Sequence, residues 1–267
     1  MLPGYYNDPE DCDSILWGAR LKVLLGRLGL PLLTGSNATG PHPGVPRDGP
    51  PERRLDYNSA YLLDTKAKII GRYDKMHLVP FGEYIPLARW PVLSGLTPYA
   101  ADDPGYAHGD AAQPLLKWNG VSFGVLICYE DIFAELGRRA ASRGADFLVN
   151  LSSESWFAGT AEVPQHFRIA RFRAVETRLP LVRCCNVGVT AVVDPAGRTV
   201  SVLEGSDSPE GASGVLRAGV PLADPARSSP YVFLGDAFAW ACAVAAVALV
   251  AFARRSTPPE VKPETPD

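Results

Sequence analysis

Residues 237–253 read AFAWACAVAAVALVAFA, a stretch without a single charge. With Tyr231-Val-Phe-Leu-Gly235 the apolar stretch covers 231–253, interrupted only by Asp236. A helix needs about 20 predominantly apolar residues to cross a bilayer, and this one is apolar all round rather than along one stripe. The pattern predicts a transmembrane helix over 231–253, with Tyr231 and Trp240 near an interface. Arg254 and Arg255 follow, and positive charge marks the cytoplasmic end of a span; Arg227 on the other side weakens that bias without reversing it. The last residues, STPPEVKPETPD, are polar and Pro-rich, so 254–267 reads as a disordered cytoplasmic tail.

Everything globular must then be built before the span and lie across the membrane from the tail, on the periplasmic face if the cell is Gram-negative. The opening residues, MLPGYYNDPEDCDS, offer neither a basic region nor an apolar one, so they are not a signal peptide. The expectation is that further sequence precedes Met1. Hydrophobic residues make up 46% of the chain, enough for a real core. A net charge of −3 gives no basic field for nucleic acid. Cys12, Cys128, Cys184, Cys185 and Cys242 show no Cys/His zinc spacing, and His42, His77, His108 and His166 are scattered. No P-loop, dinucleotide fingerprint or G-x-S-x-G occurs, so neither a metal nor a cofactor is expected.

Apolar spacing predicts a helix over 13–28 closed by Gly29, a short strand at 30–34, and a hairpin of 57–63 with 69–73. A Pro/Gly-rich loop covers 40–54, and 74–118 reads as irregular. Strands follow at 121–127, 147–151 and 181–185, with helices over 132–143 and 161–178, then a second hairpin of 189–193 with 198–203. Residues 204–229 are turn-rich. Strands and hairpins with helices between them give an α/β or α+β class with layered sheets, without a repeat or a second domain.

The chemistry centres on Gly124-Val-Leu-Ile-Cys-Tyr-Glu-Asp-Ile-Phe133, where an apolar strand stops at a thiol followed by two carboxylates. A buried cysteine is commonly a small hydrophobe, whereas a catalytic one sits partly exposed on a rigid support. A carboxylate beside it raises the thiol pKa, so a nearby cation or a carboxylate acting as base is required. Lys75 comes straight off the first hairpin, and Glu83 lies eight residues on, past a Pro and a Gly that turn the chain. A lysine offers a compact charge to a developing oxyanion, and a carboxylate keeps it charged and oriented. His77 is an alternative partner for Cys128 in a Cys–His arrangement.

Three segments, GRYDKMHLVPFGEYIPL, GVLICYEDIF and LVNLSSESWFAGT with QHFRIARFRAVETRLPLVR, resemble the nitrilase (carbon–nitrogen hydrolase) superfamily. Within it they are similar to the apolipoprotein N-acyltransferase family, over roughly residues 1–205 and the last span. This resemblance implies a nitrilase-like layered αββα sandwich over 1–220, incomplete at its N-terminus. It implies catalytic roles for Cys128 as acyl-carrying nucleophile, Lys75 as stabiliser of the tetrahedral intermediate and Glu83 as its support. Tyr129 and Glu130 become active-site neighbours, and Trp156 and Phe157 belong to a pocket loop. The implied partners are a phospholipid acyl donor, a diacylglyceryl lipoprotein acceptor and the membrane. The family's general base is the glutamate of a Trp-Pro-Glu motif, which this sequence lacks, and Glu10 sits in the wrong context to replace it. Little or no activity is therefore expected of these 267 residues alone. A small-amide hydrolase and a non-catalytic, membrane-tethered module are the competing readings.

Overall fold

Strand β2 (Arg54–Leu63) buries Ala60 and Leu62 on one face and Tyr61 and Leu63 on the other. Side chains alternate along a strand, so apolar residues of both parities demand a cover on each side. Helix α1 (Cys12–Leu28) supplies one, with Leu25 packed among Ala38, Tyr61 and Leu63. The helix stops at Gly29, whose φ of 63° and N–H bond to the Leu25 carbonyl close its end. The other cover is a second sheet: Ala60, Leu62 and Tyr73 pack against Phe123, Val125, Ile127 and Val149. The computed structural model describes residues 12–41, 54–84, 86, 105–205, 212–222 and 228–256.

The first sheet is antiparallel, with β2 between β1 (Leu32–Pro41) and β3 (Ile69–Asp74). The second has six strands in sequence order: β4 (Leu116–Trp118), β5 (Val121–Ile127), β6 (Phe147–Ser152), β7 (Leu181–Cys185), β8 (Ala191–Val193) and β9 (Thr199–Val202). β5, β6 and β7 run parallel, which requires crossovers. Helices α2 (Ala134–Ser142) and α3 (Glu162–Thr177) make them. Both helices cover the outer face, where Leu136, Ala140, Ala170 and Ala174 pack on Leu126, Leu148, Leu181 and Val193. Gly124 brings α2 down onto β5, since a Cβ there would lie 2.5 Å from the Ala140 Cβ. The layers are helix, sheet, sheet, helix, and the class is α/β.

β5 and β7 fall on the bounds the apolar runs predict, and both hairpins form. Three expectations need correction. The helix expected at 132–143 begins at Ala134, because residues 128–132 form a 3₁₀ turn. Arg173 bonds the carbonyls of Asp131 and Ile132 there, removing them from any helical ladder. Leu116–Trp118 is a strand inside the region read as irregular; Asn119 and Gly120, at φ of 47° and 79°, turn it into β5. β1 extends to Pro41 rather than ending near Thr34.

After the sheet, Pro230–Leu234 forms α4 and Ala237–Ser256 forms α5, with a break at Gly235 in the 231–253 run. α5 has 20 residues and rises about 30 Å, and its last turn carries Arg254 and Arg255. Among the described residues no helix is long and apolar enough to cross a membrane. Of the loop expected at 40–54, residues 40, 41 and 54 belong to β1 and β2 and 42–53 lie outside the described residues; of the tail expected at 254–267, residues 254–256 continue α5 and 257–267 lie outside them.

Candidate active site

β5 delivers Cys128 half-buried at its C-terminal end, with φ of 51°. Positive φ is costly for a residue with a Cβ, by about 1–3 kcal/mol, and persists only where neighbours enforce it. Two side chains do so. Asn150 Nδ2, from β6, donates to the Cys128 carbonyl at 3.0 Å. The Glu130 carboxylate reaches back to accept from the Ile127 N–H at 2.8 Å.

Glu130 is fully buried and takes three further partners: the N–H groups of Met76 (2.7 Å) and His77 (3.0 Å), and the Tyr73 hydroxyl (3.0 and 3.1 Å). One of the two carboxylates after the cysteine thus fastens the chain leaving β3 to the cysteine turn. Burial pushes the Glu130 carboxyl up, against the N–H donors of Ile127, His77 and Met76 and the Tyr73 hydroxyl. The Tyr73 phenol stands well above its ordinary value, through burial and the Glu130 charge.

Lys75 is the first residue past β3 and is 1% exposed. Its Nζ lies 2.8 Å from each carboxylate oxygen of Glu83. Glu83 also accepts from Asn58 Nδ2 and the Val79 N–H, both at 2.8 Å. A buried ion pair repays its desolvation only when the remaining lone pairs are occupied, and here they are. Met76, the next residue, is tied to Glu130, which couples the segment carrying Lys75 to the cysteine turn. Phe81, on the intervening loop, is 80% exposed. Trp156 and Phe157, on the 3₁₀ turn after β6, also face outward. The Trp156 ring lies 3.3 Å from where a Cβ on Gly82 would stand, so the two loops meet. Tyr129 sets its ring edge against Phe133 at 5.3 Å.

His77 does not serve as a partner for Cys128. Its Nε2 lies 2.7 Å from Glu135 and its ring stacks on Phe133 at 4.4 Å. The other carboxylate, Asp131, is fully buried and enters a second group with Glu154, His166 and Arg183. His166 Nε2 is 2.5 Å from Asp131 Oδ1, and Nδ1 is 2.6 Å from Glu154 Oε1. Arg183 donates to Glu154 through Nη2 and lies 3.4 Å from Asp131 through Nε. Donor atoms of Glu154, Glu162 and His166 come within 4.8 Å of one another, a spacing open to a metal ion. Arg183 Nη2, 3.2 Å from His166 Nδ1, already neutralises that corner and repels a cation.

The structure therefore brings Lys75 and Glu83 into contact and ties Glu130 to the backbone just before Cys128, while Trp156 meets the Gly82 loop and Phe157 is exposed. Asn58, Asn150 and Arg183 are not marked by any motif. Asn150 and Arg183 are buried polar residues in largely apolar strands, and that mismatch was the available signal; Asn58 stands in the more polar half of β2 and offered none.

Residues 42–227 match the family model described as carbon-nitrogen hydrolase. The apolipoprotein N-acyltransferase of Geobacter metallireducens is 37% identical over 91% of this chain and 44% of its own length. That of Bradyrhizobium diazoefficiens is 38% identical over 85% of this chain and 40% of its own. The chain spans less than half the length of these curated relatives. Among solved structures, an amidase from Nesterenkonia sp. aligns over 73% of this chain and 65% of that one, at 22% identity and a TM-score of 0.49.

Proposed function

The chain belongs to the carbon-nitrogen hydrolase family, and on that footing we propose that it is the acyl-transferring part of a lipoprotein N-acyltransferase. The similarity to apolipoprotein N-acyltransferases along nine-tenths of the chain carries this reading. Cys128 is the nucleophile: its sulfur attacks an ester carbonyl of a phospholipid, the carbonyl becomes a tetrahedral oxyanion, and the lysophospholipid alcohol leaves with a proton. The amine of a lipoprotein's diacylglyceryl-cysteine then attacks the thioester and releases the thiol, forming the amide.

Lys75 faces the oxyanion. An ammonium has three N–H groups, and Glu83 engages two at most, which leaves one for the developing charge. The left-handed backbone at Cys128 and the Glu130 anchor support a thiol held in one direction. The thiol proton goes to a base that the resemblance locates in a Trp-Pro-Glu motif, which these 267 residues do not contain. Trp156, Phe157 and Phe81 form the apolar rim an acyl chain would cross. The domain closes near residue 220, α4 and α5 anchor it to the inner membrane with the catalytic part on the periplasmic side, and both substrates reach it from the bilayer.

The test is transfer of a labelled acyl chain from phospholipid to a diacylglyceryl lipopeptide by the full-length protein in its native membranes. Transfer that disappears with Cys128→Ala supports the reading. Ammonia release from small amides without acyl transfer would instead mark a hydrolase.

A further inference from the structure

The group formed by Asp131, Glu154, His166 and Arg183 takes no part in the acyl-transfer steps, yet it joins four elements around the site. Asp131 belongs to the Cys128 turn, Glu154 begins the turn that carries Trp156 and Phe157, His166 stands on α3 and Arg183 on β7. Both imidazole nitrogens face carboxylate oxygens, Nε2 at 2.5 Å from Asp131 and Nδ1 at 2.6 Å from Glu154. An ionised carboxylate only accepts, so a proton on each nitrogen answers both contacts; the Arg183 guanidinium, 3.2 Å from Nδ1, opposes a proton there, but the Glu154 carboxylate is nearer, and an imidazole with two N–H groups is a cation. We infer that His166 is a positioning residue held as an imidazolium, clamping the Cys128 turn through Asp131 to the Trp156 loop through Glu154.

The charges agree. Asp131 and Glu154 contribute two negatives, and Arg183 and imidazolium contribute two positives. A neutral imidazole would leave a buried excess of negative charge and turn a lone pair toward one carboxylate. Of the other groups facing this site, Glu162 is a third carboxyl, partly open to solvent and 3.5 Å from Nδ1; burial and Glu154 push its pKa up, and any charge it carries favours the cation further. The Cys185 thiol is pushed up by burial and stays neutral. Arg173 is engaged with the carbonyls of Asp131 and Ile132 and with Glu176. Burial pulls the His166 pKa down, but the bonds to Asp131 and Glu154 outweigh it and raise it to about 10.

Two measurements on the full-length protein test the clamp. It rests on the proposed function only for the identity of the reacting thiol. With ¹⁵N-histidine labelling, and the other histidines replaced by Gln to isolate the signal, both His166 nitrogens are protonated at pH 8. A neutral tautomer there, or a midpoint near the ordinary value of about 6.5, overturns the inference. The second measurement is the rate of Cys128 alkylation by iodoacetamide at pH 7.5, followed by peptide mass spectrometry. His166→Gln slows it on the order of tenfold. Adding Glu154→Gln, which restores neutrality, recovers part of the loss. A folded His166→Gln protein with an unchanged rate, or a double variant no faster than the single one, overturns the inference. If His166→Gln does not fold, the isotope experiment on the intact protein decides. Alkylation needs neither acyl donor nor acceptor, so failure of acyl transfer with this pattern intact counts against the proposed function alone.

Discussion

Cys128 and Lys75 are the groups proposed to touch a substrate, and Glu130 and Glu83 hold their segments in place. Lys75 is buried and neutralised by one partner, Glu83. Lys75→Met removes the proposed oxyanion donor and is expected to lower acyl transfer by about 10²–10³-fold, read as initial rates with the fold checked by circular dichroism. Glu83→Gln leaves the ammonium buried without its counter-charge. The expected result is a lower melting temperature in detergent together with lost transfer. Glu130→Ala leaves three backbone N–H groups without their acceptor, those of Met76, His77 and Ile127. Each such loss costs about 1–3 kcal/mol, so thermal unfolding in detergent should show about 3 kcal/mol or more. An unchanged melting temperature would refute the anchoring role.

At the scale of elements, the sheet sandwich depends on close approach. Gly124→Val forces α2 away from β5 and is expected to destabilise by about 1–3 kcal/mol. Protonation of His166 adds a pH signature. Its folded pKa, about 10, exceeds the unfolded value of about 6.5. Its contribution is therefore complete below pH 6.5 and fades as pH rises toward 10, so the melting temperature should fall across that window in the native protein and less so in His166→Gln. The elements themselves were largely legible. Val121–Ile127 and Leu181–Cys185 are short apolar runs bounded by turns, and they lie where those runs place them. Leu116–Trp118 escaped notice because three residues give no period, although Asn119-Gly120 is a hairpin signal. Cys128, Lys75 and Glu83 were visible through their motifs. Asn150 and Arg183 stand out only as polar residues in apolar strands; their partners were not legible, because they are distant in sequence and a strand pattern carries no record of its neighbours.

For the whole molecule, the four layers supply a rigid frame, and α4 leads from it into α5. Ser229 caps α4, Val232 is buried, and Arg138 donates to its carbonyl. This joint fixes where the apolar helix leaves the domain. Removal of residues 231–267 should release the protein from membranes into the soluble fraction if that helix is its anchor, and leave it sedimenting if another segment holds it. The central claim concerns one sulfur atom. Full-length protein should be incubated in its membranes with phospholipid bearing an alkyne-labelled acyl chain, without acceptor, then examined for a covalent label removed by neutral hydroxylamine. The expected result is a thioester on the peptide containing Cys128, absent in Cys128→Ala and discharged by a diacylglyceryl lipopeptide. Lipopeptide acylated at an undiminished rate by Cys128→Ala would contradict it.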